Sequence, residues 1–330
     1  MSIPHPGASF RLTLTRLLHR VYAFPRAGTR SFAFAFAFAF AFVLALGCAS
    51  LSASAAPQST PEQIAVPAAG VSSSPAPLAG FIFRPAGKGP FPAVVMMHGC
   101  GGAYARQGSL NARHQMWGEY LAEHGYVALM LDSFTPRGIK ELCTQKFSDR
   151  TLKEADRVGD AYATLRFLRG QVDVDAKRIG ILGWSHGGGS VLATISKLPK
   201  RGSESEHDEG FAAAVSFYPG CTSKSKAADK FHPYAPLLLL IGEADDWTPA
   251  EPCKSLAAAA AGRGEPMRIV TYPDTYHDFD NPGIKSKRVR SEVPNGVRAE
   301  IGVTVAPNPE AREDAKKRVL QFFTETLRQK

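Results

Sequence analysis

Ser185 stands in the run Gly183-Trp184-Ser185-His186-Gly187-Gly188-Gly189. A serine flanked by small residues two positions away on either side suits a sharp strand-to-helix turn that leaves the hydroxyl exposed above a sheet. A serine hydroxyl is a poor nucleophile near neutral pH, so it needs a base to take its proton. The base in turn needs a carboxylate to hold its tautomer. After such a turn the partners follow in the chain order Ser, Asp, His. The acid is expected just past an apolar run ending at Ile241, in Gly242-Glu243-Ala244-Asp245-Asp246-Trp247-Thr248-Pro249. Asp245, at the tip of that turn, is preferred over Asp246, and Glu243 reads as a solvated or supporting group. The base is His277, the only histidine after Asp245.

A tetrahedral intermediate also needs two N–H donors for its oxyanion. His186 opens the helix behind Ser185, where unpaired N–H groups and the positive dipole end lie. The second donor is expected from the glycine-rich turn His98-Gly99-Cys100-Gly101-Gly102, through the N–H of Cys100. The His186 side chain reads only as a pocket-lining imidazole. Trp247, Phe134 and Tyr104 are candidates for pocket walls, each equally readable as core.

These residues need a scaffold that brings distant loops to one edge. Gly80–Arg84, Ala93–His98, Tyr126–Leu131, Arg178–Leu182, Ala212–Tyr218, Pro236–Ile241 and Met267–Tyr272 are short apolar runs, as strands buried on both faces should be. Helices are expected over Leu110–His124, Thr151–Arg169, Ser185–Ser196, Ser255–Ala261 and Glu310–Leu327. In Thr151–Arg169 the apolar residues recur at helical spacing and charges take the other face. Strands alternating with helices imply an α/β fold with a mainly parallel central sheet covered on both sides. Residues 78–330 form the catalytic domain in this reading. Residues 56–77 are a linker or N-terminal hairpin with a first strand at Gln63–Val66. Residues 202–209 read as an acidic surface loop, and 281–308 as a long loop over the C-terminal edge of the sheet.

The 330 residues carry a formal charge of +9. Residues 1–55 hold five Arg and no Lys, Asp or Glu, which leaves 34 basic against 30 acidic residues in the rest. That balance gives no reason to invoke nucleic acid, and Lys285, Lys287, Arg288 and Arg290 read as a solvated loop. The basic stretch, the uncharged Phe/Ala run Phe32–Gly47 and the small residues Ala53-Ser54-Ala55 form an export signal, with secretion or a periplasmic destination expected. Uncleaved, the same segment would anchor the chain in a membrane, and Cys48 offers a weaker lipoprotein reading. Of five cysteines, Cys100, Cys143, Cys221 and Cys253 follow the leader. Cys221–Cys253 is the preferred disulfide, against four buried thiols. No cysteine or histidine spacing suits zinc, so no metal or organic cofactor is expected.

In this order, the His98–Gly102 turn, Asp132-Ser133-Phe134-Thr135-Pro136-Arg137-Gly138, the Ser185 turn, Gly242–Pro249, Tyr272-Pro273 and His277-Asp278-Phe279 resemble the dienelactone hydrolase family of α/β-hydrolases. The resemblance covers roughly residues 78–328 and implies an α/β-hydrolase fold, the three catalytic positions and hydrolysis of a small ester or lactone. It departs in its nucleophile: the family's namesake enzymes carry Cys activated by a Glu, where this chain has Ser185 and, nearest that Glu, Gly99. Arg137 lies in the loop where the family can bind a substrate carboxylate, against the alternative of a structural salt bridge. The Ser185 turn also looks like that of exported cutinase-like polyester hydrolases. Lipase, thioesterase and peptidase activities are rival readings within enzymes. The rival of another class is a non-catalytic binding protein on a hydrolase fold.

Overall fold

The apolar runs become strands where parallel neighbours bury both faces, and the amphipathic segments become the helices that cover them. The computed structural model describes residues 61–68, 72–196 and 210–328. The expected export segment 1–55 and the acidic stretch 202–209 lie outside the described residues. Strands β1 (Glu62–Val66), β2 (Leu78–Phe83), β3 (Phe91–Met97), β4 (Val127–Asp132), β5 (Val174–Trp184), β6 (Ala213–Phe217), β7 (Leu237–Gly242) and β8 (Met267–Tyr272) form one sheet, ordered β1-β2-β4-β3-β5-β6-β7-β8. The β1–β2 and β2–β4 pairs are antiparallel and the rest are parallel. Residues 56–77 therefore supply the first strand of a hairpin. Every residue of β4, β6 and β7 is buried, as a doubly covered parallel sheet requires.

The helices are α1 (Ala112–Glu123), α2 (Val158–Arg169), α3 (His186–Ile195), α4 (Thr222–Lys226), α5 (Ala250–Gly262) and α6 (Pro309–Leu327). Gly180 of β5 abuts Phe323 and Leu327 of α6, whereas Gly183 abuts Val191 of α3. An odd separation along a strand reverses the face, so α3 and α6 cover opposite sides of the sheet. Among the described residues no helix is long and apolar enough to cross a membrane.

Three boundaries differ from the sequence reading by more than two residues. β5 starts at Val174 rather than Arg178, because the buried Val174 pairs with Phe91; the strand runs through the polar Asp175–Arg178, where hydrophobicity gives no signal. α5 starts at Ala250 rather than Ser255. Pro252 is tolerated in its first turn, where an N–H would have no helical partner. α2 begins only at Val158, after a 3-10 turn at Ala155–Arg157. Its polar face is not all solvated, since Arg157 and Asp160 are completely buried. Residues 281–308 are not wholly irregular: β9 (Arg288–Arg290) and β10 (Val303–Val305) pair antiparallel.

Where β5 turns into α3, the helix passes against the end of β3. A Cβ on Gly187 would lie 2.1 Å from the Met97 carbonyl oxygen. Neither backbone can yield without opening the sheet, so Gly187→Ala is expected to destabilise the protein by about 3 kcal/mol. In thermal denaturation this would lower Tm by roughly 10 °C; an unchanged Tm would contradict the close approach.

Candidate active site

Ser185 has φ 52° and ψ −114°, the left-handed backbone that the sharp turn demands. Such a conformation costs about 1–3 kcal/mol in a residue with a side chain. It is held by the Ser185 N–H donating to the Phe217 carbonyl (2.9 Å) and the Gly189 N–H donating to the Ser185 carbonyl (2.8 Å). Ser185 borders a cavity of about 720 Å³ that His277 and Trp247 also line.

The loops after β7 and β8 bring Asp245 and His277 together. Gly242 ends β7 so near the second loop that a Cβ there would lie 2.0 Å from the Thr275 carbonyl oxygen. The His277 Nδ1 lies 2.7 Å from Asp245 Oδ2. Both side chains are buried, and the contact fixes the Nδ1–H tautomer. Asp245 Oδ1 accepts the N–H groups of Trp247 (2.9 Å) and Thr248 (2.8 Å), and the Thr248 hydroxyl lies 3.0 Å from Oδ2. The imidazole sits between the rings of Tyr218 and Trp247, with centroids 4.5 and 4.6 Å away. Burial works to lower the His277 pKa, but the Asp245 charge and hydrogen bond outweigh it and the net shift is upward. Nε2 is buried and makes no hydrogen bond. Its bond to a hydroxyl in such a site commonly tightens only when substrate is seated.

Asp246, the competing acid, does different work. Its carboxylate accepts the N–H and hydroxyl of Thr304, both at 2.7 Å, and so anchors β10. Glu243 pairs with Lys254 at the surface. Of the expected walls, Trp247 and Tyr104 line the cavity, whereas Phe134 is buried edge-on against His98.

The two expected oxyanion donors lie on segments tied together from below. Arg157 Nη1 donates to the His98 carbonyl (2.8 Å) and to His186 Nδ1 (3.1 Å). Because arginine has no acceptor, His186 carries its proton on Nε2 and donates it to the Leu152 carbonyl at 3.2 Å. Burial, with Arg157 close by, pulls the His186 pKa well down, so the ring stays neutral. The His186 side chain thus braces the helix start rather than lining the Ser185 cavity. Cys100 is disulfide-bonded to Cys143, and Cys221 to Cys253. The second pair was expected; the first was not, and it fastens the oxyanion turn to the loop after β4.

Arg137 corrects the sequence reading. It does not line the Ser185 cavity. Its guanidinium grips both oxygens of the buried Asp160 (3.0 and 2.8 Å) and the Ser133 carbonyl (2.6 Å). The salt-bridge alternative describes it, since a buried carboxylate demands a paired cation. A different arginine reaches the cavity. Arg113 lies on α1 and bonds Asp278 (2.5 Å) and the Tyr218 hydroxyl (2.9 Å). Neither Arg113 nor Arg157 is marked by a motif, and only their place in amphipathic helices hinted at burial. Among the described residues no His, Cys, Asp and Glu group could hold a metal.

Residues 78–327 match the model of the dienelactone hydrolase family. A curated relative from Methylorubrum extorquens, provisionally named a carboxymethylenebutenolidase, is 24% identical over 209 residues, or 59% of this chain and 65% of the relative. The match thus spans just under two thirds of that relative. Among solved structures, a provisionally named dienelactone hydrolase from Klebsiella pneumoniae superposes with a TM-score of 0.58 at 19% identity, over 80% of this chain and 99% of that one. Esterase 2 of Thermogutta terrifontis with bound propionate gives 0.55 at 21%, over 83% and 98%. At these identities the two structures speak for the fold.

Two outcomes follow from the geometry. If neutral His277 is the base, kcat/KM rises with pH through an apparent pKa above the ordinary histidine value of 6.5. Asp245→Asn removes the charge that lifts it, so the limb moves to lower pH and kcat falls about 10⁴-fold. A limb that stays in place would argue against this pairing. Separately, Cys143→Ser frees the oxyanion turn. It is expected to lower kcat about tenfold, a fraction of the loss from deleting an oxyanion donor, with KM little changed. Equal kcat in the variant would mean that the disulfide does not position Cys100.

Proposed function

Because the chain belongs to the dienelactone hydrolase family, we propose that it hydrolyses a carboxylic ester or lactone through an acyl-enzyme on Ser185. The observation that carries this reading is the buried 2.7 Å Asp245–His277 contact, whose far nitrogen is unpartnered at the wall of the cavity that Ser185 borders.

In the first half-reaction the Ser185 Oγ attacks the carbonyl carbon while His277 Nε2 takes its proton. The carbonyl π pair moves onto oxygen, and the N–H groups of Cys100 and His186 receive that oxyanion. Collapse breaks the bond to the leaving oxygen, which takes the proton from Nε2. In a lactone that oxygen stays tethered to the acyl group. Water then gives a proton to Nε2 and adds to the acyl carbon. The second tetrahedral intermediate expels Oγ, which recovers the proton. Asp245 stays ionised throughout and stabilises the imidazolium.

Export belongs to the same reading. The leader-like residues 1–55 support it, as do two disulfides among the described residues, since such bonds persist in oxidising compartments.

Treatment with a fluorophosphonate, followed by peptide mass spectrometry, is expected to modify Ser185. The adduct should fail to form in His277→Ala. Ser185→Ala should lose turnover of a small activated ester by about 10⁶-fold while keeping the Tm. Labelling elsewhere, or turnover that survives Ser185→Ala, would overturn the assignment.

A further inference from the structure

Trp247 has two sides. One forms part of the wall of the Ser185 cavity. The other borders a second cavity of about 740 Å³ that contains neither Ser185 nor His277. This space lies between the segment before α2, the outer side of α3, the start of α4 and the loop around Val297. Its size is that of a small-molecule site.

Its lining is divided by chemistry. Phe147, Ala155, Ala193, Trp247, Pro249 and Val297 supply apolar surface. Phe147 is 52% exposed and Val297 66%, two of the few large hydrophobic side chains left in solvent among the described residues. Both stand at one mouth: the Phe147 N–H donates to Asn295 Oδ1 (3.0 Å), two residues before Val297. Clustered exposed apolar residues beside a cavity mark a contact surface rather than a core. The charges are one-sided. Arg150, Lys153, Lys224 and Lys226 face a single carboxylate, Glu154. Glu154 pairs with Lys224 at 3.6 Å, and burial raises its pKa against the pull of the cations around it. Arg150 is buried, with its guanidinium stacked on the Phe147 ring at 4.5 Å. Lys153 and Lys226 have no ion pair among the described residues.

We infer that this second cavity is a binding site for an amphipathic carboxylate, an apolar chain or ring that ends in one anionic group. Apolar surface takes the body of the ligand, and the unbalanced cations take its head. The site is wired to the first. It contains the His186 ring and Thr248, whose hydroxyl lies 3.0 Å from Asp245 Oδ2 and 3.1 Å from His277 Nδ1. A ligand there would press on Trp247, whose ring packs at a tilt against His277. Ester hydrolysis releases carboxylates, so the ligand class includes products of the proposed reaction, although the binding argument does not depend on that reaction.

The test is isothermal titration calorimetry of the full chain with octanoate, octyl phosphate and octyltrimethylammonium. Octanoate is expected to bind saturably, and octyltrimethylammonium at least tenfold more weakly. Ala193→Trp, which fills the cavity, and the surface pair Lys153→Glu/Lys226→Glu should each weaken octanoate at least tenfold. Arg288→Glu, which alters the charge of the Ser185 cavity, should leave it unchanged. Affinity lost on Arg288→Glu but kept in the other variants would place the ligand beside Ser185 and overturn the inference. So would octyl phosphate binding where octanoate does not. None of these readouts needs turnover, so failure of the hydrolase reading leaves the result interpretable.

Discussion

A carboxylate removed from water must be met by donors on every side, and Asp245 is met that way. Two backbone N–H groups, a hydroxyl and an imidazole N–H converge on its two oxygens. Losing any one of them would leave a buried anion short of a partner, at a cost of about 1–3 kcal/mol or more. The turn from Gly242 to Pro249 is therefore determined by this side chain. So is the orientation of Trp247 and Thr248, whose backbones supply the donors, and through Trp247 the aromatic slot that holds His277.

Beneath the Ser185 turn the same principle runs with opposite sign. Arg157 is completely buried and has two guanidinium nitrogens without partners. Desolvation, only partly offset by Asp160, brings its pKa down to about 10, so it remains a cation near neutrality. It links the His98 turn to the start of α3. Those are the two segments whose N–H groups face the proposed oxyanion. Above them the Cys100–Cys143 bond adds a covalent tie. The turn is thus held from below by charge and from the side by sulfur, which suits donors that must not reorganise during the reaction.

Much of this was legible in the sequence, for physical reasons. Parallel strands buried on both faces leave continuous apolar runs, so β3, β4, β6 and β7 stood out. The backbone at Ser185 demands neighbours without bulk, so its glycines marked the turn. Asp245 could be preferred to Asp246 from turn position alone, and the structure separates them by the direction of adjacent side chains. What stayed hidden depends on tertiary pairing. Arg137 and Asp160 meet only because the loop after β4 packs against α2, and Arg113 and Arg157 look like solvated helix charges until the sheet buries them. The basic run near Lys285 reads as a solvated loop, yet Arg288 and Arg290 form part of the wall of the Ser185 cavity. Cys100 and Cys143 carry no spacing signal, since the loop that joins them closes in three dimensions.

The hairpin β9–β10 is fastened to the loops that carry Asp245 and His277. The Asn281 N–H donates to the Asp278 carbonyl, Val305 bridges His277, and Thr304 rests on Asp246. Arg288, Val289 and Arg290 line the cavity, and the Arg290 guanidinium lies over the Trp247 ring that packs against His277. The hairpin is a piece of the cavity wall outside the Asp245–His277 hydrogen bond, so a change of its side chains would alter the charge and shape a ligand meets before it alters that bond.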